Sequence, residues 1–569
     1  MYSAYRTRPV ICIFLVFSFI TGTCIQARHF PAYSSQGMVV SAQPLATQVG
    51  FEILRAGGNA ADAAVAVGFA LSVTYPSAGN IGGGGFLVYR KPSGEVFTLD
   101  YREKAPAGAA RDMFLDSSGN PVAELSWSSI LASGVPGSVA GMLESLERFG
   151  SGRLSRQQVL EGAIRLAGEG FPMPYELCKG LESGRERLGK IPSTARVFYP
   201  GGNAPEAGRV FTQPDLARTL REIADKGRQG FYSGWVADSI ANFMVAQGGL
   251  ITREDLAAYR CVERKPIAVS YRDYRVYGMA PPSSGAVVLG QILGLLEPFD
   301  LAGLGFNSAA YVNRLAEAQR LAYADRNRFL GDADFVKIPL KELLSAGYLD
   351  RRRSLMPLDR AGKSAEISHG HPESSQTTHF CVVDSRGGAA SVTTTLNGGF
   401  GNGYVVPGAG FLLNNEMDDF TSAPGKPNRF GLVQGEANSI QAGKRMLSSQ
   451  TPTIVTRVGK SGGETLYLVL GAAGGPKITT TVLQVFLNCV HFGMNVREAL
   501  QAPRFHHQHL PDVIMLEPRA LGAETQAVLG EMGYTLRGQD HLGMASAIRV
   551  LDDGRLAGWA DGVGVGTGR

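Results

Sequence analysis

The chain has 569 residues, of which 44% are hydrophobic and 18% charged, a balance typical of a soluble globular protein with a large core or several domains. Its net charge is small (55 basic minus 50 acidic residues gives +5), and Lys and Arg do not interleave with aromatic residues, which argues against a nucleic-acid partner. The six cysteines form no Cys-x-x-Cys pair, so neither a zinc knuckle nor a dithiol redox centre is expected.

The N-terminus has the pattern of a secretory signal peptide. Arg6 and Arg8 precede the apolar run VICIFLVFSFI at residues 10–20, and small polar residues follow. The run is about half as long as a membrane-spanning helix needs. We expect residues 1–27 to be removed, with cleavage near Ala27, and the protein to be periplasmic or secreted. An uncleaved membrane anchor is the alternative.

The next elements in the chain are two helices and a glycine-rich approach to a strand. Residues 42–71 have helical composition, and Gly57-Gly58-Asn59 predicts the end of one helix and the start of another. Residues 79–85 are rich in glycine and lead into a strand at residues 86–89. Because no Lys and Ser/Thr follow the glycines, they indicate close backbone packing and not a phosphate loop.

The middle of the chain, residues 134–358, alternates helical patterns with turns. One long helix carries Leu315, Ala318, Ala322 and Asp325 on one face and is expected to end near Arg328. From residue 361 to 376 the composition becomes small and polar, with little periodicity. This predicts an exposed linker, which could be cut without unfolding a core.

Residues after the linker are rich in strands. Residues 448–455 and 466–470 are predicted strands, and residues 479–492 are a predicted helix. Cys381 and Cys489 lie in apolar surroundings and are expected to behave as small core residues. Helices and strands are mixed throughout, which predicts an α/β or α+β fold with layered sheets.

The linker ends at a predicted β-hairpin. Residues 377–383 (TTHFCVV) and 389–395 (AASVTTT) have strand composition, and Asp384-Ser385-Arg386-Gly387-Gly388 is a turn by its chemistry. If Val383 pairs with Ala389, then Thr377 pairs with Thr395. Directly opposed residues of a hairpin lie about 5 Å apart, so the two threonine side chains could touch.

A threonine at this position can catalyse amide cleavage once the chain is cut before it. A hydroxyl is a weak nucleophile, but a first-residue threonine has its own α-amine as a base, with a pKa of roughly 8. The same hydroxyl could first attack the carbonyl of Gln376 and release the two halves of the chain. The alternative is that Thr377 and Thr378 merely begin a strand, where threonine is common.

The surrounding motifs carry a resemblance that favours the catalytic interpretation. They are DYREKAP at residues 100–106, GVPGSV at 134–139, QTTH at 376–379, TLN at 395–397, LLNNEMDDF at 412–420, LSS at 447–449, PTI at 452–454, Gly474-Gly475, Asn488, and APRFHHQ at 502–508. Together they resemble the γ-glutamyltranspeptidase family, from about Gly37 to the end of the chain.

The resemblance implies an α+β fold, the four-layer αββα sandwich of the N-terminal-nucleophile hydrolases. It further implies a precursor that cuts itself between Gln376 and Thr377. The products would be a large subunit of residues 28–376, which ends in the linker at 361–376, and a small subunit of residues 377–569. The two subunits would stay together because they share the sheets.

The family transfers a γ-glutamyl group from glutathione or another γ-glutamyl compound to water or to an amino acid or peptide. The resemblance implies that no metal or organic cofactor is needed. Thr377 would be the nucleophile, supported by Thr395, and the amides of Gly474 and Gly475 would bind the oxyanion. The substrate's free amino acid end would be held by charged and polar side chains: Arg102, Ser448 and Ser449 on the α-carboxylate, and Asn397, Glu416 and Asp419 on the α-ammonium.

Two further segments have counterparts in the family. Residues 421–434 correspond to a lid loop that some members lack, with Phe430 at the aromatic position. His506, His507 and His509 lie in a segment that the family uses structurally, and a metal site is not expected there. Two other functions stay open: a glutaryl or cephalosporin acylase of the same fold, which binds a substrate without the α-amino group, and an exported binding protein that does not cleave.

Overall fold

The structure is a computed structural model that describes residues 30–366, 377–423 and 435–561. By its contacts the chain divides into a short unit, Met1–Phe30, and one body, Pro31–Arg569, that holds every element below. The signal peptide predicted at residues 1–27 lies outside the described residues. Among the helices that are described, none combines the length and the apolar character needed to cross a membrane.

The strands of the described residues range from two to ten residues in length. They are β1 Ala32–Ser34, β2 Gly37–Val40, β3 Gly84–Arg90, β4 Val96–Asp100, β5 Phe171–Pro172, β6 Val210–Phe211, β7 Val262–Arg264, β8 Ile267–Tyr271, β9 Tyr274–Gly278, β10 Thr377–Asp384, β11 Ala389–Thr395, β12 Thr453–Val458, β13 Glu464–Ala473, β14 Phe505–His506, β15 Ile514–Leu516, β16 Leu536–Gly538, β17 Met544–Val550 and β18 Leu556–Ala560.

The α-helices of the same residues range from single turns to six turns. They are α1 Pro44–Arg55, α2 Ala60–Thr74, α3 Ala123–Trp127, α4 Ser138–Phe149, α5 Arg156–Glu169, α6 Tyr175–Leu188, α7 Pro192–Phe198, α8 Pro214–Lys226, α9 Gln229–Tyr232, α10 Gly234–Gln247, α11 Arg253–Ala258, α12 Gly285–Leu296, α13 Leu301–Leu304, α14 Ala309–Phe329, α15 Leu340–Leu343, α16 Ala346–Arg353, α17 Lys477–His491, α18 Val496–Gln501 and α19 Ala523–Glu531.

Two large antiparallel sheets stack face to face between layers of helices. The first has the order β1-β18-β17-β13-β12-β9-β8, and the second β2-β10-β11-β3-β4-β7. Apolar side chains from both sheets, such as Val383 and Val469, form the layer between them. Helices α2 and α4 pack on the outer face of the second sheet, with α5 against α2, and α12 and α17 pack on that of the first, with α14 against α12. This is the predicted αββα order.

Several predicted elements are confirmed with close boundaries. Helices α1 and α2 flank Gly57-Gly58-Asn59, and every residue of the alanine-rich α2 is buried. The long helix is α14, which ends at Phe329. The glycine run packs against backbone as predicted, since a Cβ on Gly83 would lie 2.0 Å from the carbonyl oxygen of Thr395.

Two predictions need correction. The strand predicted at residues 448–455 begins only at Thr453, because Pro452 has no amide hydrogen for a central strand. Before it, Ser448 forms an isolated bridge with Ser283. In the linker predicted as exposed from residue 361, the described residues 361–366 are half-buried or exposed except Ser364, which is buried and whose amide donates to Asp512 (2.8 Å). Residues 367–376 lie outside the described part.

The four described cysteines, Cys178, Cys261, Cys381 and Cys489, are free thiols. Cys381 and Cys489 are buried core residues, as predicted. Cys381 lies in the layer between the two large sheets, and Cys489 packs in the helical layer over the first sheet.

Candidate active site

Strands β10 and β11 form the predicted hairpin in the predicted register. Val383 pairs with Ala389, and Thr377 pairs with Thr395. On its other side β10 pairs with β2 only from Cys381 to Asp384. Among the described strands, the first four residues of β10 are therefore paired on one side only. The candidate nucleophile, Thr377, is therefore flanked by β11 on one side, and β2 does not extend to it on the other.

Thr377 faces the space between the two large sheets. Side chains alternate along a strand, so Thr377 and His379 share a face with Cys381 and Val383, which contribute to the layer between the sheets. In the facing strand β13, the carbonyl of Val469 accepts from Cys381 (3.4 Å). Two residues further on, a Cβ on Gly471 would lie 2.4 Å from the ring of His379.

The same two-residue step carries the facing strand to the level of Thr377. If Val469 faces Cys381 and Gly471 faces His379, then Ala473 lies at the level of Thr377, and Gly474-Gly475 follow directly. Both glycines have positive φ (+141° and +63°). A Cβ on Gly474 would also lie 2.7 Å from the carbonyl oxygen of Leu542. The turn therefore requires glycine, and its two main-chain amides lie near Thr377, the first residue of β10.

Thr395 links the candidate nucleophile to the neighbouring loop. The hydroxyl of Thr377 donates to that of Thr395 (3.4 Å), which also accepts from the amide of Asn397 (2.8 Å). Asn397 adopts positive φ (+69°), and its side chain donates to the carbonyl of Asn415 (3.0 Å). Both threonines are buried. The loop after β11 thus joins Thr377 to the segment that carries Glu416 and Asp419.

Arg102 lies at the centre of a buried charge cluster. Its guanidinium donates to Glu416 and to Asp419, which belong to one short 3₁₀ helix, Glu416–Asp419. It also lies 3.7 Å from Glu103 and faces the carbonyl oxygens of Met446 and Leu447 at 3.4 Å. The structure thus brings together three of the predicted substrate-binding residues, with Arg102 paired to the two acids.

The cluster contains three carboxyl groups around one guanidinium. Burial alone would lower the pKa of Arg102, but the carboxylates of Glu416, Asp419 and Glu103 raise it above its usual range. Burial raises the pKa of Glu103 to about 7, although Arg102 opposes that shift. Burial likewise raises the pKa of Glu416 well above its usual value. Both shifts favour the protonated acids, so without a second positive charge nearby the three carboxyl groups are not all ionised around one guanidinium; an added cation would favour their ionisation.

Ser448 and Ser449 lie on the strand-like segment beside Arg102. The carbonyl of Ser448 accepts from the amide and the hydroxyl of Ser284 (2.7 and 2.8 Å). The hydroxyl of Ser449 accepts from Arg326 (3.3 Å) on helix α14, and burial lowers the pKa of that arginine to about 10. No motif in the sequence singled out Arg326. Its signal was its place one residue beyond Asp325, on a helix predicted only as a packing element.

A second residue of α14 that no motif singled out, Tyr323, supports the glycine turn. The hydroxyl of Tyr323 donates to the carbonyl of Pro476, directly after Gly475. The turn also reaches the serine segment through Thr451, which donates to the carbonyl of Ser449 (2.8 Å) and contacts Thr479 (3.0 Å). Arg102, the serines and the glycine turn therefore belong to one connected region.

The three C-terminal histidines are buried and hydrogen-bonded within the fold. His506 contacts Thr480 and Gln508 (2.8 Å each), and His507 contacts Asp512 (3.1 Å). His509 contacts the carbonyl of Ser364 (3.0 Å). Gln376, at the predicted cleavage site, and Phe430, in the predicted lid, lie outside the described residues, as does most of that loop (residues 424–434).

The αββα sandwich of two stacked antiparallel sheets is the fold of the N-terminal-nucleophile hydrolases, and Thr377 opens strand β10 of one of these sheets. A crystal structure of cephalosporin acylase from Bacillus halodurans has this fold, with a TM-score of 0.82 and 27% identity over 94% of this chain and 95% of that chain. The gamma-glutamyltranspeptidase family model matches residues 46–568. The chain belongs to the γ-glutamyltranspeptidase family, and it is an enzyme.

Curated relatives agree over nearly the whole length. A glutathione hydrolase proenzyme of Escherichia coli (strain K12) is 46% identical over 535 residues, which is 93% of this chain and 91% of that protein. An acylase ACY 1 proenzyme of a Pseudomonas species (strain V22) is 36% identical over 537 residues, 93% of this chain and 92% of that protein. A solved Helicobacter pylori gamma-glutamyltranspeptidase chain has 44% identity and a TM-score of 0.58, over 59% of this chain and 96% of that chain.

Proposed function

We propose that this protein is a self-processing glutathione hydrolase and γ-glutamyltransferase whose nucleophile is Thr377. The observation that carries the proposal is the position of Thr377. Thr377 opens β10 opposite Thr395, near the Gly474-Gly475 turn. The loop after β11 links Thr395, through Asn397, to the segment that carries Glu416 and Asp419. The name of the Escherichia coli relative, a glutathione hydrolase proenzyme, supports the same activity and a precursor.

Maturation would cut the chain between Gln376 and Thr377. The Thr377 hydroxyl attacks the Gln376 carbonyl, the acyl group moves from nitrogen to oxygen, and water hydrolyses the ester. This frees the α-amine of Thr377. A large subunit of 376 − 27 = 349 residues would be 61% of the chain. The 59% of this chain matched by the Helicobacter pylori chain, itself matched over 96%, supports that division.

In the mature enzyme the free α-amine of Thr377 would act as the base for its own hydroxyl. The hydroxyl oxygen attacks the γ-carbonyl of the donor, and the amides of Gly474 and Gly475 bind the oxyanion. The amide nitrogen of the donor leaves with the proton, and a γ-glutamyl ester of Thr377 remains. Water then releases glutamate, or the amine of an amino acid or peptide takes the γ-glutamyl group.

The charge cluster suits the free amino acid end of a γ-glutamyl group. Arg102, with Ser448 and Ser449 beside it, offers a bidentate partner to the α-carboxylate. Glu416 and Asp419, with Asn397 nearby, offer acceptors to the α-ammonium. In the structure both acids bind Arg102. A substrate that carries one carboxylate and one ammonium would exchange partners with this ion pair while keeping every buried charge paired.

The activity test is release of p-nitroaniline from γ-glutamyl p-nitroanilide, compared with glutaryl p-nitroanilide, which lacks the α-amino group. We expect turnover of the first donor to exceed that of the second by orders of magnitude. Preference for the glutaryl donor would instead favour the acylase function of the Pseudomonas relative. A protein that stays one band near 60 kDa and releases nothing from either donor would contradict both. We also propose that residues 1–27 direct export of the protein.

A further inference from the structure

A buried carboxylate behind the charge cluster contacts both sides of the proposed α-carboxylate site. Asp100 ends strand β4 and is fully buried. Its Oδ1 accepts from the amide of Arg102 (2.9 Å) and lies 3.4 Å from Nε of Arg445. Its Oδ2 accepts from Nε of Arg264 (2.8 Å). One side chain therefore touches the backbone of Arg102 and two arginines.

Both arginines are fixed by further contacts. Arg264 forms a bidentate pair with Asp334 (3.0 and 2.8 Å) and lies 3.5 Å from Asp332. Arg445 donates from its guanidinium to the carbonyl of Arg260 (2.7 Å) and from its amide to Asp332 (2.8 Å). Asp100 is thus held between two immobilised cations, and it cannot move without separating buried charges.

Arg445 directly precedes the segment that forms the other half of the proposed α-carboxylate site. The next residues, Met446 and Leu447, present the carbonyls that face the guanidinium of Arg102 at 3.4 Å. Ser448 and Ser449 follow. Asp100 therefore contacts Arg102 from one side and, through Arg445, anchors the serine segment from the other.

We propose that Asp100 is a positioning residue that sets the distance between Arg102 and the Ser448–Ser449 segment, and thereby the affinity for the donor's α-carboxylate. The inference rests on the proposed function. In the cleaved protein Asp100 would belong to the large subunit and Arg445 to the small one, so this ion pair would also hold the two halves of the site in register. A bidentate site tolerates little displacement, since a shift of about 1 Å can cost about 100-fold.

The test compares three single variants of the cleaved protein with γ-glutamyl p-nitroanilide. Asp100→Asn removes the charge that faces both arginines, and Arg264→Met, nearer the surface, weakens the same network in a milder way. Asp62→Asn is the control, because Asp62 is equally buried but ties Asn59 and Ser151 at the start of α2. We expect KM to rise about tenfold in Asp100→Asn, and less in Arg264→Met, with kcat within threefold of wild type and Asp62→Asn unchanged.

A double-mutant cycle with Arg102→Lys separates positioning from general damage. Because Asp100 acts partly through Arg102 and partly through Arg445, Asp100→Asn should raise KM by clearly less than tenfold in the Arg102→Lys background. An unchanged KM in Asp100→Asn, an equal rise in Asp62→Asn, or a full tenfold rise in the lysine background would overturn the inference. If Asp100→Asn does not yield cleaved protein, a raised KM in Arg264→Met would support the inference, and an unchanged KM in that variant would overturn it. A wild-type protein inactive on the γ-glutamyl donor would instead refute the proposed function itself.

Discussion

The substitution Thr395→Val tests whether the hairpin partner of Thr377 supports its chemistry. Valine keeps the shape of threonine but removes the hydroxyl that accepts from the Asn397 amide (2.8 Å) and from the Thr377 hydroxyl (3.4 Å). Because Asn397 and Thr395 are buried, the variant would lose the hydrogen bond from the Asn397 amide at a position away from water. The variant therefore perturbs both the nucleophile and the loop that leads to Glu416.

The expected magnitude follows from those two contacts. A lost hydrogen bond to Thr377 is worth about 1 kcal/mol, which is about fivefold in rate, and a displaced loop raises the loss to about 2 kcal/mol, or about 30-fold. Loss of the hydrogen bond from the Asn397 amide lowers stability by about 1 kcal/mol. We expect self-cleavage and kcat to fall about 5- to 30-fold and the melting temperature to decrease.

The assay follows precursor and fragments on gels over time, and then kcat of the cleaved protein with γ-glutamyl p-nitroanilide. Thr395→Ser is the matched control, since serine keeps the hydroxyl and should restore most of both rates. Thr395→Val with wild-type cleavage and wild-type kcat would show that the hydroxyl pair is structural only.

Three further predictions concern the charge cluster and the glycine turn. Arg102→Ala should raise KM for the γ-glutamyl donor at least 100-fold and leave self-cleavage intact; an unchanged KM would remove Arg102 from the site. Gly474→Ala should lower kcat about 10²- to 10³-fold with little change in KM, because a Cβ would lie 2.7 Å from the Leu542 carbonyl and displace the amides; full activity would place the oxyanion elsewhere. Glu103→Gln should stabilise the protein more at pH 8 than at pH 4.5. The folded carboxyl keeps its proton up to about pH 7 and the unfolded one only to about 4.5, so the folded state binds more protons in that window and wild-type stability falls as pH rises through it. Equal melting-temperature gains at both pH values would contradict this.

Local rules were enough to predict the hairpin that carries Thr377. One register follows from the alternation of side chains, the turn with Gly387-Gly388 and the composition of the two short strands. The structure has that register, with Thr377 opposite Thr395. The αββα order followed from the family resemblance, not from periodicity. The strand predicted at residues 448–455 begins only after Pro452, whose missing amide hydrogen outweighs the β-branched residues around it.

Contacts between distant segments could not be predicted in the same way. Arg102, Glu416 and Asp419 were assigned to opposite ends of a substrate, and their direct pairing depends on a loop more than 300 residues further along the chain. The contacts of Arg326 and Asp100 likewise join segments far apart in sequence, with no periodic pattern to signal them. The buried Ser364 was hidden in a polar linker because its partners, Asp512 and His509, lie about 150 residues away.

Mass spectrometry of the mature protein, paired with its activity, tests the central claim most directly. We predict a C-terminal fragment of 569 − 376 = 193 residues, or a shorter form trimmed at its far end, that begins with Thr-Thr-His-Phe. Thr377→Ala should yield only the uncut chain and no turnover. A polypeptide that remains intact across residues 376 and 377 and is nevertheless fully active on γ-glutamyl p-nitroanilide would contradict the account.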